Sequence, residues 1–71
     1  MSASNVIKKI MIDKKISVKE LALKLDIKPQ VLSNKLYRDT FTYNDYVKIA
    51  NILECEVKTI SKDGIEYINN Y

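Results

Sequence analysis

The 71-residue chain sets twelve Lys and Arg against nine Asp and Glu, a net charge of +3, with one cysteine and no histidine. A chain this short buries only about 60% of its unfolded surface, so it supports one small core and no large substrate cavity beside it. The composition excludes an intrachain disulfide, a Ser-His or Cys-His nucleophile pair and a zinc site, which would lack ligands.

The first predicted element is a helix capped by Ser2 or Ser4 and running to about Lys14. Val6, Ile7, Ile10 and Met11 form its apolar face, and Lys8 and Lys9 point outward. Asp13-Lys14-Lys15 closes it.

The stretch from Ser17 to Arg38 predicts two short helices joined by a tight turn. Ser17 and Glu20 form a capping box, and Ile16 and Leu21 a hydrophobic staple. Leu21, Leu25 and the small Ala22 make a buried face on which a second helix can cross closely. Asp26 ends the helix, because aspartate tolerates the left-handed conformation of a sharp turn. Pro29 suits the first position of the next helix. Leu32 and Leu36 are four apart and point inward together. At about 100° per residue, Asn34 then points almost directly away, with Gln30 and Arg38 roughly 140° from the buried direction on either side. Val31 and Tyr37 flank this stripe, and Ser33 and Lys35 border it. Such a face offers two amides, a guanidinium and an ammonium, with no carboxylate before Asp39. Amides bond adenine edges, Arg and Lys suit guanine or phosphate, and a valine suits a thymine methyl. A polar face on one isolated helix is ordinary solvated surface. The helix pair, the tight turn and the absence of acid point instead to a helix that enters the major groove of DNA.

Thr42 and Asp45 mark a second capping box, with Phe41 and Tyr46 as its staple. The fourth helix runs to about Leu53 and buries Tyr46, Ile49, Ala50 and Leu53. Phe41 plugs the core rather than stacking on a base. Cys55 follows an apolar helix end and suits a small buried position. The period then changes. VKTIS and IEYIN are β-branched and aromatic and flank Lys62-Asp63-Gly64, which predicts a hairpin over 57–69. The turn is either a two-residue Asp63-Gly64 or a three-residue loop with Gly64 left-handed. A fifth helix is the alternative, and the central glycine opposes it. The hairpin edge must be covered by the body, paired with a second chain or tolerated.

The residues LALKLDIKPQVLSNKL resemble the helix-turn-helix of the phage repressor and Cro class, also called the xenobiotic-response-element (XRE) family. LSNKLYRDTFTYNDYVKIANILECEV is similar to a bacterial branch of that class. The resemblance covers roughly residues 5 to 60. It implies a mainly α, four-helix repressor-like fold, here with the C-terminal β-hairpin, as one domain over 1–71. It also implies that the start of the second motif helix reads bases through Pro29, Gln30 and Asn34, with Lys28 and Val31 beside them. The start of the first motif helix, Ser17, Val18 and Lys19, would meet phosphate. Three positions depart from the pattern: Asp26 replaces a preferred Gly, Pro29 replaces a frequent polar base reader, and Lys35 stands where an inward apolar residue is common, with Leu36 taking that role.

The expected base contacts are therefore Lys28, Gln30, Val31, Asn34 and Lys35. The expected phosphate contacts are Ser17, Lys19, Tyr37, Arg38 and Thr40. Charge distribution agrees: Lys14 to Arg38 holds seven basic and two acidic side chains, and the chain after Thr40 holds three basic and five acidic. The expected function is a sequence-specific regulator of double-stranded DNA, repressor-like and homodimeric, without cofactor, metal or small-molecule ligand. The competing expectation is a protein-interaction module such as an antitoxin or antirepressor; an enzyme is a distant third. No apolar run approaches the roughly 20 residues of a membrane span, and the N-terminus lacks a signal-peptide pattern, so a cytoplasmic location is expected. Clustered Lys, Ile and Asn suggest an AT-rich bacterial genome, and the small stand-alone design suggests, by analogy, a mobile element.

Overall fold

The computed structural model describes residues 2–69. The order is α1 (Ala3–Lys14), α2 (Val18–Leu25), α3 (Pro29–Arg38), α4 (Tyr43–Ile52), β1 (Val57–Ile60) and β2 (Glu66–Asn69). Three of the four helix starts carry a side-chain cap. Ser2 accepts from the Asn5 amide, while Ser17 with Glu20 and Thr42 with Asp45 form complete capping boxes. α3 starts differently. Lys28 gives no side-chain cap, and Pro29 lacks the N–H that would otherwise need one.

All four helices end the same way. Lys15, Asp26, Asp39 and Glu54 adopt φ of 57°, 57°, 56° and 62°. The next residue then donates its amide five residues back: Ile16 to Met11 (2.9 Å), Ile27 to Ala22 (3.0 Å), Thr40 to Lys35 (3.2 Å) and Cys55 to Ala50 (2.8 Å). These are Schellman closures, which usually put glycine at the left-handed position. This sequence has a single glycine, Gly64, and it serves the hairpin. The closures also turn Ile16, Ile27 and Cys55 inward, where all three pack against the core.

That core gathers Ile7 and Met11 from α1, Leu21 and Ala22 from α2, Leu32 and Leu36 from α3, and Ile49 with Leu53 from the α4 end. Leu21, Ala22 and Leu32 are fully buried. Ala22 sits where α2 and α3 pack against each other, so a larger side chain there would force the two apart at a cost of about 1–3 kcal/mol. α4 differs from expectation in detail. It ends at Ile52, and Tyr46 is only half-buried, whereas Val47 is 1% exposed. α4 packs on both α1 and α2, so it buries a wider face than one helical stripe.

β1 and β2 form an antiparallel pair with Val57 opposite Asn69 and Ile60 opposite Glu66. Of the two turns left open by the sequence, the three-residue loop is present. Gly64 donates to the Ser61 carbonyl (2.9 Å) and Ser61 donates to the Ile65 carbonyl (2.9 Å), which encloses Lys62, Asp63 and Gly64. Gly64 has φ 90°, the glycine bulge of such loops. The Ser61 hydroxyl donates to the Asp63 carboxylate and accepts the Ile65 amide. The hairpin packs chiefly on itself. Only Val57 among the strand residues is half-buried; the others are exposed. The described chain is accordingly elongated, 41 × 22 × 21 Å. No described helix is long and apolar enough to cross a membrane.

Candidate nucleic-acid interface

α3 is fixed to the body by Leu32 and Leu36, and the rest of it follows from helical geometry. Gln30, Asn34 and Arg38 are exposed along one outer stripe. Lys28 lies exposed at its entrance, Val31 is exposed on the first turn, and Tyr37 is 88% exposed near its end. The Asp26–Lys28 turn is three residues long, the length that sets two helices at a steep angle with the second protruding.

Two contacts to other elements flank the C-terminal half of α3. The Asp39 carboxylate, just past its last residue, accepts the backbone amide of Ser4 at 2.9 Å. Ser4 is in the first turn of α1, where free amides and the helix dipole favour an anion. The Ser4 amide accordingly holds the Asp39 carboxyl below its usual range. On the other side, Lys35 lies 3.8 Å from Asp45 of α4, and both side chains are partly exposed. The Thr42 amide holds the Asp45 carboxyl low, and the Lys35 charge adds to this. Lys35 therefore lies between the exposed outer stripe of α3 and the first turn of α4. In water such an exposed pair is worth little, so its ammonium can exchange partners.

Within the stripe, the Gln30 amide donates to the Asn34 carbonyl oxygen at 3.2 Å. Beside it, Ser17 is committed to its cap: the hydroxyl accepts the Glu20 amide (3.1 Å) and donates to the Glu20 carboxylate (3.1 Å). The carboxylate in turn takes the Ser17 amide (3.3 Å). The amides of Val18 and Lys19 are left at the α2 N-terminus, where an anion is favoured. Lys19, Arg38 and Thr40 are exposed, and the Thr40 amide closes α3. The fold thus brings the expected base-facing residues onto α3 and its entrance. The expected phosphate-facing residues lie at the α2 start and the α3 end.

One feature of this side carried no sequence signal. Leu23 is 82% exposed and joins Ile27, Lys28 and Val31 around a shallow depression beside the turn. An isolated outward leucine on an amphipathic helix is common, and only the placement of α3 next to it makes a patch. Among the described residues no cluster of His, Cys, Asp and Glu could hold a metal ion.

The Cro/C1-type HTH DNA-binding domain family matches residues 6–63. The chain belongs to this family. The match runs from within α1 to the hairpin loop, so it takes in the whole α2–α3 pair described above as the family's helix-turn-helix, and β2 lies beyond the match. No curated protein and no solved structure matches the chain. Family membership bears out the resemblance to the phage repressor and Cro class. It makes the chain a DNA-binding domain of the type carried by transcriptional regulators.

Proposed function

We propose that this protein is a repressor-like regulator that binds specific double-stranded DNA as a homodimer and reads the major groove with α3. The observation that carries it is the exposed stripe of Gln30, Asn34 and Arg38 on a helix anchored from behind by Leu32 and Leu36. Lys28, Gln30, Val31, Asn34 and Lys35 face bases in this arrangement. Ser17, Lys19, Tyr37, Arg38 and Thr40 face phosphate. Because the Ser17 hydroxyl serves the capping box, its part in phosphate binding falls to the neighbouring Val18 and Lys19 amides and the Lys19 ammonium.

The hairpin supports the homodimer. The Ser61–Ile65 bond sets the ladder phase. In an antiparallel pair the outward backbone groups then belong to Lys58 and Ile60 on one edge and to Glu66 and Ile68 on the other. Ile60, Ile65, Tyr67 and Ile68 are each at least half exposed. Unpaired edges that carry apolar side chains are templates for pairing with another chain, here a second copy. Two copies related by a two-fold axis would present their recognition helices about 34 Å apart, one DNA turn.

Selection of full-length protein on random duplex DNA tests the proposal. A recovered palindrome with half-sites one turn apart is the expected result. Recovery of no preferred sequence would remove it. The exposed side chains of Leu23 and Val31, beside the half-buried Ile27, favour a second reading, a protein-interaction module such as an antitoxin, in which the same side of the domain covers a partner protein.

A further inference from the structure

We infer that Gln30 and Asn34 read DNA as one hydrogen-bonded unit, so that discrimination at one base pair depends on the side chain that faces the next. The inference rests on the proposal that α3 enters the major groove. Its observation is the 3.2 Å bond from Gln30 Nε2 to Asn34 Oδ1. The two residues are one helical turn apart on the exposed face, the spacing at which side chains meet. Neither amide makes another hydrogen bond to the described residues.

The bond assigns polarity to both groups. A Gln amide has two N–H donors and one carbonyl acceptor. Gln30 gives one N–H to Asn34 and keeps its carbonyl oxygen and the second N–H. That remaining pair is what adenine requires, with N6–H donating to the oxygen and N7 accepting the N–H. Asn34 has one lone pair of its oxygen engaged and keeps two N–H donors. It therefore favours a neighbouring base edge that presents an acceptor, such as thymine O4 or guanine O6 and N7. It disfavours cytosine, whose major-groove group is an amino donor. The bond to Asn34 also restrains the Gln30 amide, which lowers the cost of ordering a flexible side chain on binding.

The test is a double-mutant cycle on the selected operator, with full-length wild type, Gln30→Ala, Asn34→Ala and the double variant. Affinity is measured for all four bases at the two adjacent positions, and a melting curve for each variant checks the fold. Asn34→Ala should cut the preference for adenine opposite Gln30 by about tenfold, the scale of one good base contact. The double variant should lose at least about fivefold less than the product of the single losses. Asn34→Asp keeps the acceptor for Gln30 but has no donor. It should retain the adenine preference and shift the neighbouring preference to cytosine. Single losses confined to their own base pairs, with a double variant equal to their product, would overturn the coupling while leaving groove reading intact. A wild type without any base preference would instead remove the groove-reading proposal itself, and the coupled unit with it.

Discussion

Lys15, Asp26, Asp39 and Glu54 hold a backbone conformation that costs an L-residue about 1–2 kcal/mol. Aspartate tolerates it better than lysine or glutamate, so the strain is greatest at Lys15 and Glu54. Lys15→Gly should raise stability by about 0.5–1 kcal/mol after the extra unfolded-chain entropy of glycine is subtracted. Thermal melting should move up by roughly 2–8 °C; a lower midpoint would mean that the lysine side chain contributes more than its backbone costs. Asp39 adds a charge effect. Its folded carboxyl is held below the ordinary value by the Ser4 amide, so the ionised form is favoured in the folded state. That stability is present above the unfolded carboxylate value, about pH 4, and is lost as pH falls through the lower folded value. Asp39→Asn keeps a residue tolerant of the turn and removes the charge. Its melting point should fall less steeply than wild type between pH 5 and the acid limit, on the order of pH 3. Parallel curves would exclude Asp39 as a source of the acid loss. On the outer stripe, Gln30→Ala and Asn34→Ala should lower sequence discrimination by about 1–3 kcal/mol per lost contact and leave melting nearly unchanged. Lys19→Ala should weaken all duplexes evenly, as a phosphate contact does. Early melting with normal binding in both amide variants would show that the stripe faces the core.

At the scale of elements, the helix starts depend on short polar side chains and the helix ends on backbone closure. Thr42→Ala removes one half of the α4 capping box, in which Thr42 accepts the Asp45 amide at 3.0 Å. It should cost about 1 kcal/mol, readable by chemical denaturation as a lower midpoint at constant slope. The loss should exceed that of an exposed substitution in the last turn such as Asn51→Ala, since α4 contributes Ile49 and the following Leu53 to the core. An equal effect at both positions would mean that the cap does not hold the helix end. In the hairpin, Lys58 lies 3.0 Å from Glu66 and 3.9 Å from Glu56, but these charges are exposed and screened. Gly64 at φ 90° and the Ser61 bonds shape the turn more than any ion pair does.

At the scale of the molecule, a basic α2–α3 side is opposed by a more acidic C-terminal part. Binding to duplex DNA should weaken linearly in log affinity against log salt, with a slope of about 0.9 per phosphate neutralised. Titration at several salt concentrations gives that slope, and a flat response would sink phosphate contact by Lys19 and Arg38. Truncation after Glu56 removes the hairpin and keeps the Cys55 amide that closes α4. Sedimentation should show a dimer for the full chain and a monomer for the truncation. A full-length chain that stays monomeric yet binds a palindrome cooperatively would move the pairing from the hairpin to DNA itself.

The sequence by itself determined the features that act within about one turn of chain. Ser17 with Glu20 and Thr42 with Asp45 announce helix starts, because a cap and its amide lie three residues apart. Leu32 and Leu36 fix the inward side of α3 and thereby the outward side of Gln30 and Asn34, because the helical period is constant. The Asp63-Gly64 pair located the hairpin, and Gly64 alone tolerates its conformation freely. Tertiary structure decided what depends on how elements sit against one another. The Asp39–Ser4 bond joins residues 35 apart in the chain, and the Lys35–Asp45 pair exists only because the chain after α3 brings the first turn of α4 back beside Lys35. Val47 became buried because α4 is enclosed on two sides, a fact no single stripe records. The left-handed ends at Lys15 and Glu54 carried no glycine to mark them; they follow from the closing amides and the inward turn of Ile16 and Cys55. The hairpin's stand away from the helices was likewise invisible in its alternation, since a β-period states which residues share a face but not what covers it.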